Sequence, residues 1–246
     1  MSKPLDREAV IIDRRASPDW VMFRESRPGP ESDLIERFLS YLPVVCAPDS
    51  KISVLREPGL EMGFPDLVIV VWRANRASEW PETRMDLVPD DLRTLHYLHQ
   101  TRSAHDDSLA QVFGKRRARS SLDRLLAAGL VRQAGRTWLP NARHRTFAAT
   151  KIIAVEAKLG NWSRVLEQAR RNLWFASKSY VLVPRASEDQ LGQAATHGIG
   201  VVTVNESGIT ERPAQSRDLP RSYASWVIND LAWRASRTTD ESAGSA

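Results

Sequence analysis

Glu156-Ala-Lys158 ends a β-branched apolar run, Lys151-Ile-Ile-Ala-Val-Glu-Ala-Lys158. Such a run reads as a buried strand. On a strand, side chains two positions apart share a face, so Glu156 and Lys158 are predicted to project side by side from its end. A carboxylate and an ammonium held together on a rigid element suit metal-assisted attack of water on a phosphodiester. A second half of the pattern lies 90 residues upstream, where Gly63-Phe-Pro65-Asp66-Leu-Val-Ile-Val-Val71 has an acid opening another buried strand.

The surrounding elements must position these groups. From Glu31, the spacing of Leu34, Ile35, Phe38, Leu39 and Leu42 predicts a helix, which Pro43 ends. Ile52 to Leu55 reads as a strand, followed by a turn through Gly59 and Gly63. Asp66 to Trp72 is apolar on both faces and is therefore predicted to be central in its sheet. Beyond Lys158, the pattern predicts a helix from Ser163 to Ala176, a strand from Tyr180 to Val183, a short helix from Leu191 to His197 and a strand from Ile199 to Val204. An amphipathic helix is expected near Tyr223 to Trp233. Residues 1–29, punctuated by Pro4, Pro18 and Pro28, read as an irregular arm, 73–83 as a polar linker and 237–246 as a flexible tail.

The segment between the two strands has its own rhythm. Helices are expected from Asp90 to His99, from Ser108 to Phe113 with Asp107 as its cap, and from Lys115 to Ala128; a hairpin turns at Gly135. In the third helix Ala118, Leu122, Leu125 and Gly129 recur at core spacing, which turns Arg116, Arg117, Ser120, Ser121 and Arg124 outward beside Lys115. Residues 88–145 hold eleven Arg or Lys against five Asp, a net of +6, while the whole chain carries +5 with a pI near 9.6. Positive charge concentrated in one segment points to a polyanionic partner.

Other classes are disfavoured. No apolar run approaches the roughly 20 residues of a membrane span, and the N-terminal residues lack the apolar core of a signal peptide. One cysteine, Cys46, excludes an intramolecular disulfide or a cysteine-rich zinc site. The histidines show no shared metal-ligand spacing, and His96 and His99 are expected on a surface helix. A cytoplasmic protein without membrane contact is the expectation.

In order and residue type, the chain resembles the PD-(D/E)xK nuclease superfamily, whose members include restriction endonucleases and Holliday-junction resolvases. Pro65-Asp66 matches the "PD" and Glu156-Ala-Lys158 the "(D/E)xK"; Glu31-Ser-Asp-Leu34-Ile35 fits the extra helix acid of the resolvase branch, with Glu36 as a second candidate. Gln168 occupies the position of a glutamine that many members carry on the following helix. The intervening segment resembles a winged helix-turn-helix. The implied fold is α/β, a mixed sheet in a restriction endonuclease-like core (1–84 and 146–236) with an inserted winged helix (85–145).

The resemblance implies a Mg²⁺-dependent deoxyribonuclease in which Mn²⁺ can substitute. Asp66, Glu156 and the carbonyl of Ala157 would hold the ion, with Glu31 as an outer or second-metal ligand. Lys158 would orient or deprotonate the attacking water or stabilise developing charge, and Gln168 would steer a water or bond to Lys158. Lys115, Arg116, Arg117, Ser120, Ser121 and Arg124 would meet the major groove, and Arg132 and Arg136 the backbone. A homodimer is expected if both strands are cut. The alternatives are a noncatalytic nucleic-acid-binding regulator on the same scaffold and an RNA-directed nuclease of the same chemistry.

Overall fold

The computed structural model describes residues 10–12, 21–25, 28–40, 50–61, 63–205 and 208–243, with residues 10 and 238–243 by backbone alone. Pro4 and Pro18 of the expected arm, and Leu42 and Pro43 at the expected helix end, lie outside the described residues. The chain is of mixed α/β class. Its first half contains β1 (Val10–Ile12), α1 (Pro30–Leu39), β2 (Ser50–Arg56), β3 (Leu67–Arg73), α2 (Ala74–Ala77), a 3-10 turn (Glu82–Asp86), α3 (Pro89–Thr101), β4 (Ala104–His105) and α4 (Asp106–Phe113). There follow α5 (Lys115–Ala127), β5 (Val131–Ala134), β6 (Thr137–Pro140), α6 (Arg143–Thr146), β7 (Ala149–Ala157), α7 (Trp162–Asn172), β8 (Lys178–Val183), α8 (Glu188–Thr196), β9 (Gly200–Asn205), β10 (Gly208–Arg212) and α9 (Tyr223–Ala243).

Two compact units divide the chain: Met1–Trp72 with Thr150–Arg221, and Arg73–Ala149 with Ser222–Ala246. The first is built on a seven-stranded sheet in the order β1-β2-β3-β7-β8-β9-β10. The β1/β2, β7/β8 and β8/β9 pairs are parallel and β9/β10 is antiparallel. Strand alternation sorts the core into two layers. Ile69, Val155, Tyr180 and Leu182 join Leu34 and Phe38 of α1, whereas Val181, Val183 and Val201 join Val165, Ala169 and Ala194 of α7 and α8. The sheet is thus covered by α1 on one face and by α7 and α8 on the other. As expected from its apolar faces, β3 is central and buried from Leu67 to Trp72.

The edge strands β1 and β10 carry no legible pattern: β1 has three residues, and β10 (Gly-Ile-Thr-Glu-Arg) is nowhere fully buried. Tertiary contact holds β10 instead. The Tyr180 ring lies so close over Gly200 that a Cβ there would collide with it, and Tyr180 Oη donates to Glu211 Oε1 at 2.7 Å. Glycine at 200 is what lets the tyrosine reach the edge strand.

The second unit joins three helices, α3, α4 and α5, to a three-stranded sheet ordered β4-β6-β5. Ala134 pairs with Thr137 across the two-residue turn Gly135-Arg136, where Gly135 sits at φ +61°. The capping residue of α4 is His105, whose Nδ1 accepts from the N–H of Asp107, so the expected cap at Asp107 is two residues late. Residues 73–83, expected as a linker, contain α2 and the start of the 3-10 turn.

The helix α9 belongs to this second unit, where the sequence expectation placed residues 222–236 with the sheet. The unit also takes in 73–84 and 146–149, beyond the expected 85–145. The cause is burial: Trp226, Val227, Ile228, Leu231, Ala232 and Trp233 are all covered, so a helix that looked amphipathic needs partners nearly all round. Trp226 stacks on His99 with ring centroids 4.8 Å apart, and Asn229 Oδ1 accepts from the N–H groups of Ala148 and Ala149, each at 2.9 Å. His96 and His99 are consequently half-buried and not surface residues; burial pushes the His99 imidazole down to about 4. The helix continues to Ala243 through the residues expected to fray.

Arg84 is among the fully covered polar groups of the unit. It is fully buried, donates to Asp230 Oδ1 at 2.6 Å and to the Thr146 carbonyl at 3.0 Å, and its guanidinium lies 3.4 Å from the Trp80 ring centroid. Arg234 adds bonds to the carbonyls of Arg84 and Leu87. Among the described residues, no helix is long and apolar enough to cross a membrane.

Candidate functional site

Asp66 and Glu156 meet where β3 begins and β7 ends. The N–H of Ala157 donates to Asp66 Oδ2 at 2.8 Å, which ties the carboxylate to the neighbouring strand. The backbone carbonyl of Asp66 accepts from the N–H of Glu57 at 3.1 Å. Glu57 holds a left-handed backbone (φ +48°), an uncommon conformation for a non-glycine residue, beside the candidate site. The Glu57 carboxylate pairs with Arg24, whose Nη2 is also 3.8 Å from Asp66 Oδ1.

Both carboxyls are pushed up from their ordinary values. For Asp66 the cause is burial, offset by the Ala157 N–H and the Lys158 charge. For Glu156, burial and the neighbouring Asp66 charge raise it to about 8, against the bond from Asn172 and the Lys158 ammonium. Two carboxylates that share a desolvated place cannot both ionise cheaply. Glu156 Oε1 accepts from Asn172 Nδ2 at 2.7 Å, while its Oε2 is buried with no hydrogen-bond partner.

Lys158 departs from the period-2 expectation. The strand ends at Ala157, so alternation no longer governs the next side chain. Its N–H extends the parallel ladder by donating to Leu182 O at 3.0 Å, but its Nζ donates to Glu31 Oε2 of α1 at 2.7 Å. Lys158 and Glu156 thus lie near enough to interact electrostatically, yet their hydrogen bonds go to opposite helices. The two candidate helix acids separate cleanly: Glu31 faces Lys158, whereas Glu36 pairs with Arg56, which lowers its carboxyl. Pro30 at the helix start and Leu34 and Phe38 in the core fix α1 so that Glu31 opens toward the site.

Arg24, Glu31, Arg56, Glu57, Asp66 and Lys158 stand in the wall of a cleft of about 710 Å³, whereas the buried Glu156 is not part of that lining. Its polar, doubly charged lining suits a charged ligand better than an apolar one.

Gln168 lies on α7 with Oε1 buried and without a hydrogen-bond partner; the bond expected to Lys158 is not made. The residue of α7 that reaches Glu156 is Asn172, one helical turn further on, which no sequence motif singles out. Asn161 starts this helix in a left-handed conformation, its side chain accepting from the N–H of Arg164.

A divalent cation fits the donor set in part. Among the described residues there is no cluster of three or more His, Cys, Asp or Glu side chains arranged to hold a metal, and Glu31 is engaged with Lys158 and not with the carboxylate pair. Mg²⁺, however, needs only one or two carboxylates with waters. Asp66 and Glu156, both held in the form that a cation would relieve, meet that need, and the orphaned Glu156 Oε2 is a vacant donor.

The basic helix α5 is sorted differently from its expected face. Lys115, Arg116, Arg117 and Ser120 are exposed, as are Arg132 and Arg136 on the hairpin. Ser121 is fully buried because α5 packs against α3 and the 3-10 turn as well as against α4. Arg124 makes a two-bond fork with the buried Asp91, Nε to Oδ2 at 2.7 Å and Nη2 to Oδ1 at 2.8 Å. These two are structural parts of the fold. Arg136 donates to Asp107 at 2.8 Å, and Arg117 lies 3.5 Å from Asp90, so acids of the same unit already offset part of the expected positive face.

No protein-family model matches the chain, and searches of curated proteins and of solved structures returned no match.

Proposed function

We propose that the chain is a metal-dependent nuclease, with a restriction endonuclease-like core and a winged helix inserted between β3 and β7. The observation that carries this reading is the convergence of Asp66 and Glu156 from neighbouring strands, with both carboxyls pushed up and Lys158 beside them. A purely structural sheet end has no need of two desolvated acids and an ammonium.

The chain's own residues divide the work. Asp66, Glu156 and the Ala157 carbonyl would hold Mg²⁺ or Mn²⁺. Such an ion, when bound, neutralises phosphate charge and makes water a better nucleophile. Lys158 stabilises charge on the reacting phosphate or positions the attacking water, and Glu31 holds the ammonium in place beforehand. Asn172 fixes the orientation of Glu156, as an outer partner of a ligating carboxylate does. Arg24 and Arg56 stand on the cleft wall already paired with Glu57 and Glu36. Lys115, Arg116 and Arg132, exposed on the second unit, support DNA engagement through the winged helix.

Cleavage of plasmid and oligonucleotide DNA, and of RNA, with Mg²⁺ or Mn²⁺ tests the reading. Metal-dependent cutting lost in Asp66→Ala supports it. Tight duplex binding with no cutting of either polymer points instead to a noncatalytic regulator.

A further inference from the structure

A second charged depression lies in the sheet unit, between the ends of α7 and α8 and the segment that follows β10. Its volume is about 550 Å³, and four arginines line it: Arg170, Arg171, Arg217 and Arg221. Glu167 is the one carboxylate of that lining, and it pairs with Arg170 at 3.1 Å and Arg171 at 3.4 Å. The lining therefore keeps a strong positive excess.

Part of that charge has a structural reason. Arg170 and Arg171 stand in the last turn of α7, where cations favour the helix dipole. Arg217 and Arg221 belong to no helix, yet Arg221 donates to the carbonyl of Leu173, the C-cap of α7, at 2.7 Å, and Arg217 faces the carbonyl of His197, the C-cap of α8, so helix ends hold these two as well. The N–H of Arg217 donates to Ser177 O at 2.9 Å, which fixes the residue against the start of β8. Its Nη2 makes only a long contact of 3.4 Å with His197 O, and its Nε is buried with no hydrogen-bond partner. A buried guanidinium N–H without an acceptor is costly, and an anion in the depression would relieve that cost while offsetting the repulsion among the arginines.

The place differs from the carboxylate cleft. Since β7, β8 and β9 run parallel, Ala157 and Lys158 mark one end of these strands, while Ser177 and His197 precede β8 and β9 at the other. At about 3.3 Å per residue the length of β8 alone separates the two ends by roughly 20 Å.

We propose that this depression binds the phosphate of a nucleotide, either free or as a unit of a nucleic-acid strand. Arginine suits that ligand because its planar fork matches phosphate oxygens two at a time. The site stands whether or not the Asp66–Glu156 pair cleaves a phosphodiester.

The test is binding of ADP and of a 20-base-pair duplex to the full chain without divalent metal, by calorimetry, comparing wild type with Arg217→Gln and Arg171→Gln. Arg171 is half-exposed, so its substitution leaves a folded protein even if that of Arg217 does not. Each arginine substitution is expected to weaken binding about tenfold, the loss of one charge-assisted bond. Weakening for ADP assigns a diffusible nucleotide, and weakening for the duplex alone assigns a strand; either upholds the site. Binding of both probes that is unchanged by the arginine substitutions, or no binding of either, overturns it.

Discussion

Asn172 Nδ2 donates to Glu156 Oε1 at 2.7 Å, joining the last residue of a helix to the acid at the end of a neighbouring strand. Glu156 is buried, so this bond and the neighbouring Asp66 carboxyl set the direction in which its carboxylate faces. Asn172→Ala is expected to lower metal-dependent cleavage about 10- to 100-fold, the usual cost of losing an outer partner of a ligating carboxylate. Asn172→Asp should cost more, since it sets a third negative charge beside two that already resist ionisation. Single-turnover rates at saturating DNA measure both. Rates equal to wild type in both variants would remove Asn172 from the site.

Glu156 also makes the metal-free protein pH-sensitive. Its folded-state value is about 8, above the ordinary 4.5. Between those values the folded protein binds more protons than the unfolded chain, so the slope of stability with pH is negative. Stability is therefore expected to fall as pH rises from about 4.5 to about 8, and Asp66, raised for the same reason, adds in the same direction. Glu156→Gln should flatten that decline in urea denaturation measured across the range. A parallel decline in wild type and variant would contradict the burial argument.

In the second unit, Arg84 and Asp230 are a fully buried pair at 2.6 Å. Removing one partner leaves a buried charge unpaired, a loss of about 3–5 kcal/mol. Asp230→Ala is expected to destabilise by that order in chemical denaturation, while Arg84→Met with Asp230→Leu should recover much of it. A loss below about 1 kcal/mol in the single variant would mean the pair is not buried in solution.

The basic helix gives a contrast between neighbouring arginines. Lys115→Ala with Arg116→Ala should weaken duplex binding and reduce its salt dependence, because exposed cations release counterions from the backbone. Arg124→Ala should instead lower stability, since Arg124 satisfies the buried Asp91 through two bonds. Titrations at several salt concentrations, set beside melting curves, separate the two. Duplex affinity indifferent to the Lys115 and Arg116 substitutions would turn this module toward protein contacts.

The site was legible where its signal was local. Glu156 and Asp66 each stand at the end of a buried apolar run, so spacing brings these two into view, whereas Glu31, at the start of an amphipathic helix, stands out only through the family resemblance, with Glu36 beside it as an alternative. It failed where tertiary contact decides. Lys158 turns to α1 because β7 stops one residue earlier, and period-2 reasoning assumes a strand that continues. One apolar stripe implies one buried face and so turns Ser121 and Arg124 outward, but α5 is covered on a second side. Asn172 carries no motif, and its role depends on a strand sixteen residues away. The membership of α9 is set by Trp226 and Arg84 finding partners in residues that sequence order gives no reason to join.

The most direct test of the carboxylate site is metal-dependent plasmid cleavage by wild type, Asp66→Ala and Lys158→Ala, with folding checked by circular dichroism. Wild type is expected to cut with Mg²⁺ or Mn²⁺ and to stop on chelation, and each variant to fall by about 10²-fold or more, the scale of losing one group that stabilises developing charge. Cleavage that persists undiminished in both folded variants would contradict the assignment of Asp66, Glu156 and Lys158 as the reacting centre.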